Sequence, residues 1–290
     1  MHHARGTCRA SFLSTMQLFL FRRFFGLLTT GLLLAAGVRA QAPLQPAGPV
    51  GAAPSDEQSY RKEFVFGVNF NTQGGLLGGA SVRSSRLLDD RLLRFWSLEG
   101  VMLKNNAKEE RVISKLFGGS YVPRKTNYAF VLRPSVGIQR VLFRKAADAG
   151  VQVNGLLSVG PSIGLLLPYY ISYNRTYART GTINLATDDI VAEQFDPTKH
   201  FVPDAIVDRG PLFNGIGQTK VVPGLHLRGG LSFEYGRYRD AVTGVEVGFL
   251  VETFTKRLLI LIPDGPVDND KVNRQLFPSV YLTLYFGQRS

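Results

Sequence analysis

The side chains best suited to catalysis are His226, Ser232 and Glu234, which lie close together in one segment. A histidine that takes a proton from a serine, with a carboxylate to orient its ring, is the combination that activates a hydroxyl nucleophile. A lipid-modifying enzyme could use His226 with Ser232 or with a serine of a neighbouring strand. Such enzymes usually open their sites toward lipid, whereas the alternation described below places His226 on the opposite face. We therefore predict no catalytic residue and no enzymatic activity, and keep the lipid-modifying enzyme as an alternative.

Two further patterns offer ligand atoms but lack the spacing of a known site. Four acidic residues in one polar segment provide the oxygen atoms that calcium prefers, but they match no EF-hand loop: Asp188, Asp189, Glu193 and Asp196. The glycine pairs at residues 74–75 and 78–79 are accompanied by neither the lysine nor the following helix of a phosphate-binding loop. The sequence therefore predicts no metal site and no cofactor.

The N-terminus is typical of an export signal. The first forty residues contain no acidic side chain, and Arg22 and Arg23 precede an apolar run over residues 24–38. That run is shorter than the roughly 20 apolar residues that a membrane-spanning helix needs. We predict a signal peptide over residues 1–40, export through the Sec route, cleavage near Ala40, and a flexible periplasmic leader over residues 41–61.

Composition narrows the range of partners. The only cysteine, Cys8, lies in the predicted signal peptide, so the mature chain is expected to have no disulfide. Removal of the five arginines of residues 1–40 lowers the formal net charge from +12 to +7. The basic residues are scattered and the chain is exported, which argues against a nucleic-acid partner. A modest basic excess suits an anionic membrane surface such as lipopolysaccharide.

The elements that carry these residues are predicted to be β-strands. In the segment 225–235, apolar residues alternate with His226, Arg228, Ser232 and Glu234. Successive side chains of a strand point to opposite faces, so this strand has one apolar and one polar face. The same alternation predicts eight strands in all, at residues 63–72, 76–86, 92–104, 126–143, 151–167, 225–235, 245–257 and 279–286. Pro134 and a change of parity near Gly155 each predict a bulge.

The links between these strands favour a closed membrane barrel. No segment after residue 38 has 18 consecutive apolar residues, and only a closed barrel can then satisfy its backbone groups in hydrocarbon. The links tend to alternate between short and long, as in outer-membrane barrels, and the longest (about residues 174–221) is predicted to be an irregular outer loop. The predicted fold is all-β: an eight-stranded antiparallel up-and-down transmembrane β-barrel over residues 62–290.

The charged faces are predicted to point inward. An arginine or lysine on the lipid face near the midplane costs about 2–4 kcal/mol, and an eight-stranded barrel is filled by its own side chains. We predict a plugged lumen with an ion-pair network formed by Arg83, Glu99, Arg133, Arg228, Glu234, Glu246, Glu252 and Lys256. Aromatic residues near the strand ends are predicted to form interface girdles: Trp96, Phe143, Tyr169, Tyr170, Tyr235 and Phe286.

The signal peptide, the eight alternating strands and the final segment Val280–Phe286 resemble the small outer-membrane β-barrel families, OmpA/OmpX-like and PorT-like. The resemblance implies a Gram-negative outer-membrane protein that meets lipid, lipopolysaccharide and the barrel-assembly machinery. We predict a structural or accessory role in an envelope secretion or assembly machine, or a surface interaction, with envelope partners bound through the long loop. The remaining alternative is a soluble periplasmic, lipocalin-like ligand carrier with its apolar faces inside.

Overall fold

The computed structural model describes residues 61–104, 109–144, 150–184, 186–235, 241–263 and 272–290, without the side chains of residues 75–77. The predicted signal peptide and all but the last residue of the predicted leader lie outside these ranges. Within the described residues, no helix is long and apolar enough to cross a membrane.

The described residues are mostly strand. In chain order the strands are β1 (Lys62–Asn71), β2 (Gly75–Asp89), β3 (Leu92–Leu103), β4 (Val112–Ile113), β5 (Ser120–Tyr121), β6 (Asn127–Phe143), β7 (Val151–Pro168), β8 (Tyr170–Asn174), β9 (Ile190–Gln194), β10 (Ile206–Arg209), β11 (Lys220–Tyr235), β12 (Ala241–Phe254) and β13 (Leu276–Arg289). One α-helix, α1 (Arg175–Thr180), and short 3-10 turns at Pro203–Ala205 and Ile216–Gln218 lie between β8 and β11.

Eight of these strands close into a barrel in the order β1-β13-β12-β11-β7-β6-β3-β2. All neighbours are antiparallel, and β1 pairs with β13 from Glu63–Arg289 to Asn71–Tyr281. The predicted all-β, eight-stranded antiparallel up-and-down barrel is therefore confirmed. Closure leaves no free strand edge in the wall. We call the end where β1 begins and β13 ends the terminus end, and the opposite end the long-loop end.

The burial pattern follows the predicted alternation. Buried and exposed positions alternate along most of β12 and β13, and the eight predicted strands coincide with the barrel strands. Six boundaries differ by three residues or more: β2 ends at Asp89, β11 begins at Lys220, β12 runs over Ala241–Phe254, and β13 runs over Leu276–Arg289. The extensions arise because their ladder partners lie on distant strands: Lys220 pairs with Leu166 of β7, and Arg289 pairs with Glu63 of β1.

Neither predicted bulge is present at its expected position. Pairing of β6 with β7 keeps one register on both sides of Pro134. β7 pairs with β11 without a shift past Gly155, and Leu156 is buried in the same row as Gln152 and Asn154. The row of inward residues thus continues through Leu156, an apolar residue among polar ones, and the parity does not change near Gly155. The shift lies instead on β6, between Val141 and Phe143.

The long loop is folded, which corrects the prediction of an irregular segment. β8, β9 and β10 form a separate sheet in the order β10-β8-β9. Helix α1 is capped at its N-terminus by Asn174, whose side chain accepts a hydrogen bond from the Tyr177 backbone N–H, and at its C-terminus by Gly181 in the left-handed conformation (φ 69°). We call residues 169–219 the long-loop unit. Its core contains Tyr169, Ile171, Tyr173, Ala205 and Ile206, and Tyr121 of β5 packs into the same cluster.

A second apolar cluster fills the barrel at its long-loop end. The segment 258–262, here the mouth segment, crosses from β12 to the opposite wall, where the backbone N–H of Thr126 donates to the Ile260 carbonyl at 2.9 Å. The Asn273 side chain accepts hydrogen bonds from the backbone N–H groups of Ile260 and Leu261. Inward-facing apolar residues of six strands pack against the segment: Val101, Leu103, Ala129, Val131, Leu166, Val222, Phe254 and Phe277.

Candidate functional site

The centre of the barrel holds a cluster of six charged side chains. Alternation turns each of them inward, from β2, β3, β6, β11 and β12, and five of the six are buried while Arg228 is partly buried. Three are basic and three acidic, so their formal charges cancel. We call the following residues the central charge cluster: Arg83, Glu99, Arg133, Arg228, Glu246 and Glu252.

Three of the five ion pairs of this cluster join strands that are not neighbours in the wall, and the other two join neighbouring strands. Arg133 binds Glu252 through two nitrogens, at 2.8 Å (Nε) and 2.7 Å (Nη2). Arg228 Nη2 donates to Glu246 at 2.9 Å, and Arg83 Nη1 donates to the other Glu246 oxygen at 2.8 Å. Glu99 accepts from both Arg133 and Arg228, at 3.4 and 3.3 Å. Two-pronged pairing of this kind is among the stronger hydrogen-bonding arrangements in proteins.

Neutral side chains complete the hydrogen bonding around these charges. The Tyr281 hydroxyl donates to Glu246 at 2.8 Å, and its ring centroid lies 3.9 Å from the guanidinium carbon of Arg228. Asn69 donates to Glu99, and Ser162 donates to Glu252. A buried charge is tolerated when it is paired and its remaining hydrogen-bonding positions are filled. The barrel interior therefore holds its charges in fixed positions.

A separate buried cluster closes the terminus end. Arg289 Nε donates to Glu63 at 2.9 Å, and Arg289 Nη1 donates to Glu234 at 2.7 Å. The predicted ion-pair network includes Glu234 but neither Glu63 nor Arg289. Glu63 lies on the same face of β1 as Val65, so the alternation in the sequence could have identified it as an inward residue. Arg289 could not be identified in this way, because it lies beyond the predicted end of the last strand.

Lys256 was assigned to the ion-pair network incorrectly. β12 ends at Phe254, and the side chain of Lys256 is exposed beyond it. Glu252 and Phe254 point inward because they belong to the strand. Beyond the end of the strand the alternation stops, so it does not determine where Lys256 points.

The predicted girdle residues divide into two groups. Trp96, Phe143, Tyr235 and Phe286 are 52%, 68%, 72% and 58% exposed on the outside of the wall, as an interface position requires. Tyr169 and Tyr170 do not fit that prediction. The former is 2% exposed and the latter is half-buried, because both belong to the long-loop unit.

Tyr169 instead ties that unit to the chain preceding β6. Its hydroxyl accepts a hydrogen bond from the backbone N–H of Val122 at 2.9 Å, and burial raises the pKa of Tyr169 to about 12. The Lys125 ammonium lies 4.8 Å from the Tyr128 ring centroid and pairs with Glu109. Burial lowers the pKa of Lys125 despite the opposing effect of Glu109.

Of the candidate catalytic residues, His226 meets a serine of the neighbouring strand β7, but neither Ser232 nor Glu234. His226 is buried inside the barrel, with Nδ1 3.1 Å from the hydroxyl of Ser162, which is itself engaged by Glu252. Ser232 contacts Asn154 and Tyr285 instead, and Glu234 pairs with Arg289. To activate a serine, the histidine must lie between the serine hydroxyl and the carboxylate. Here Ser162 lies between His226 and Glu252 instead.

The four acidic residues considered for calcium are also dispersed. Asp188 accepts from Asn174 at 2.7 Å, and Glu193 pairs with Arg175 at 3.1 Å. Hydrogen bonds from Thr198 hold the pKa of Asp196 below its usual range. Within the described part of the chain, no group of three or more histidine, cysteine, aspartate or glutamate side chains could hold a metal ion.

The interior leaves little free space. A cavity of about 30 Å³ lies beside Arg83, Glu99, Arg228 and Glu246, which is enough for one or two water molecules. Charges line this interior and aliphatic rows cover the outside. This arrangement is the reverse of the lipocalin-like alternative, which is therefore wrong.

Glycines on the inner wall make room for the buried tyrosines. A Cβ atom at Gly248 would lie 2.2 Å from the Gly229 carbonyl oxygen and 2.7 Å from the Tyr281 hydroxyl. We expect Gly248→Ala to lower the free energy of unfolding by about 1–3 kcal/mol, because the added methyl group overpacks the interior. Urea unfolding followed by tryptophan fluorescence measures the change. Gly217→Ala is the control, since no atom lies within 4 Å of its Cβ position; equal stability of both variants would contradict the prediction.

No protein-family model and no curated protein matches the chain. Among solved structures, the chain is similar to Ail, the attachment invasion locus protein of Yersinia pestis, with 8% identity, a TM-score of 0.35, and coverage of 80% of this chain and 99% of Ail. A structure of Ail in complex with the heparin analogue sucrose octasulfate gives a TM-score of 0.33 at 8% identity and the same coverage. Neisserial surface protein A gives 7% identity and a TM-score of 0.35, covering 80% of this chain and 97% of that one. At these values, the fold assignment depends on the strand order of the chain itself.

Proposed function

We propose that the chain is an integral outer-membrane β-barrel protein with a plugged lumen. The observation that carries the proposal is the side-chain distribution of the wall. Many outward positions are large, apolar and exposed: Val136 is 62% exposed, Leu225 is 62% exposed and Phe249 is 70% exposed. Monomeric soluble proteins rarely expose apolar patches of that extent. In a membrane these apolar rows contact acyl chains instead of water. The closed ladder of strands also pairs the backbone N–H and C=O groups of the wall with one another, as hydrocarbon requires.

Transport through this barrel is not the function that we propose. The central charge cluster, the cluster around Arg289 and the apolar residues at the mouth segment occupy successive levels of the interior. An eight-stranded barrel has little room beyond its own side chains. The filled interior favours a role at the surface, at the long-loop end, and we propose that one.

The long-loop unit offers a shaped surface for such a role. Its buried aromatic core holds the segment in one arrangement, while Phe201, Phe213 and Ile216 are 72%, 67% and 65% exposed. Aromatic residues are enriched at protein interfaces. We propose a structural or accessory role in an envelope machine or a surface interaction, in keeping with the OmpX-like and PorT-like resemblance. Lipopolysaccharide and the barrel-assembly machinery are the further partners of this proposal.

Membrane extraction tests the placement. We expect alkaline and urea washes to leave the protein in the membrane fraction and detergent to release it, because its apolar wall remains in hydrocarbon. Release by osmotic shock alone would overturn the proposal.

Cross-linking in intact envelopes tests the surface role. A partner that docks on the exposed aromatic residues should lose its cross-link when Phe201 and Phe213 are both replaced by serine. Replacement of exposed Lys199 and Arg179 by serine is the control, because these residues lie on the same unit and are polar. An unchanged cross-link pattern in the aromatic variant would refute a role for this surface.

A further inference from the structure

Four basic side chains line up on the outside of the barrel at its terminus end. They belong to four consecutive strands of the wall, β1, β2, β3 and β6, and all four are exposed. Lys62 lies directly opposite Arg86, and Arg86 lies directly opposite Arg94. Arg140 is on the next strand, two residues from the Ile138 that pairs with Arg94. We call Lys62, Arg86, Arg94 and Arg140 the basic row.

This arrangement is unfavourable without an anion. Like charges directly opposite each other in an antiparallel ladder destabilise the sheet. None of the four side chains forms an ion pair or a side-chain hydrogen bond within the described residues, and the nearby turn acids Asp89 and Asp90 do not pair with them. The interior charges, in contrast, are neutralised in pairs. Among the described residues, the positive charge of the basic row is therefore not neutralised by an acidic partner. It lies on the outward face of the wall, together with the apolar rows.

The position of the row identifies the kind of anion. Two residues further toward the middle of the barrel, on the same outward face, lie Phe64, Trp96 and Ile138, which are 40%, 52% and 47% exposed. Two residues of strand span about 6–7 Å. In a membrane, aromatic residues of this kind mark the boundary between hydrocarbon and headgroups. The basic row therefore lies at the level of the headgroup phosphates.

We infer that the basic row binds the headgroup of an anionic phospholipid in the leaflet at the terminus end of the barrel. The inference assumes the membrane placement proposed above. Guanidinium groups bind phosphate oxygens in a two-pronged manner, and here Arg86 and Arg94 lie directly opposite each other with Arg140 on the next strand. The acyl chains of the same lipid would contact the apolar residues above the row, which a free phosphate ion cannot do. A bound lipid would remove the like-charge repulsion among β1, β2 and β3.

The chain contains its own reporter for this site. Trp96 is the only tryptophan, and it lies two residues from Arg94 on the same face of β3. Purified protein is reconstituted in phosphatidylcholine vesicles that contain either brominated phosphatidylglycerol or brominated phosphatidylcholine, and quenching of Trp96 is compared. We expect phosphatidylglycerol to be preferred about fivefold, which is the factor that one basic residue contributes beside an anionic lipid surface. Added salt should reduce the preference.

A variant and a matched control make the test specific. Arg86→Gln, Arg94→Gln and Arg140→Gln combined should abolish the preference, whereas Arg179→Gln with Arg209→Gln, exposed arginines of the long-loop unit, should retain it. In pure phosphatidylcholine, the triple variant should unfold at no lower urea concentration than the wild type, because like charges have been removed.

The outcomes separate the two proposals. Equal quenching by both lipids in the wild type, or an undiminished preference in the triple variant, would overturn the inference while leaving the membrane placement intact. Absence of quenching by either brominated lipid would show that Trp96 does not face acyl chains, and the membrane placement itself would then be wrong.

Discussion

Replacement of Arg133 by methionine is expected to lower the free energy of unfolding by about 3–5 kcal/mol, the usual effect of removing one partner of a buried ion pair. Arg133 is 2% exposed and holds Glu252 through two hydrogen bonds, and Glu252 is 0% exposed. Without the guanidinium, that carboxylate has no cation among its described hydrogen-bond partners, which leaves it charged in a site shielded from water. Equilibrium unfolding in urea, with the protein in detergent or vesicles, measures the loss.

Two further variants separate charge from packing at this position. Arg133→Met combined with Glu252→Met should recover part of the stability, because an apolar pair of similar volume replaces a buried ion pair at little net cost. Arg179→Met changes an exposed arginine in the same way and should alter the free energy of unfolding by less than about 0.5 kcal/mol. A loss below about 1 kcal/mol for Arg133→Met would mean that Arg133 does not stabilise Glu252 as the distances indicate.

The second large effect is expected at the mouth segment. Leu258 is 0% exposed among the inward residues of the barrel, whereas its neighbour Leu259 is 45% exposed. Leu258→Ala should cost about 2–5 kcal/mol, through lost burial and the cavity left behind. Leu259→Ala removes the same atoms from the next position and should cost less than about 0.5 kcal/mol. The same unfolding measurement compares the two variants, and equal losses would show that the mouth segment does not fill the barrel.

The wall of the barrel was predictable because alternation is a local property of a strand. Each strand shows its inward and outward rows in its own residues, as Glu246 and Phe249 do in β12. Strand pairing then follows from sequence order in an up-and-down topology. The errors occurred where an apolar residue faces inward, as Leu156 does, or where a strand ends, as at Lys256. Local pattern carries no information about either.

The parts that could not be predicted depend on contacts between distant segments. Glu63 and Arg289 are 226 residues apart and meet only because β1 and β13 close the barrel. The long-loop unit has a core because Tyr121 and Tyr169 come from separate connections. The basic row requires the register of three strand pairs, since Arg86 and Arg94 are ordinary exposed residues until they are placed opposite each other.

The cluster that joins the two terminal strands has a consequence for how the chain folds. Contacts of such long sequence separation form late, because loop closure over most of the chain must come first. Until β13 reaches β1, Glu63 lacks its contact with Arg289, so an incomplete wall with seven strands leaves this carboxylate on β1, at the open seam, without that cation. Assembly is therefore expected to be cooperative, with few stable intermediates, and the fourteen residues of β13 decide whether the whole sheet persists.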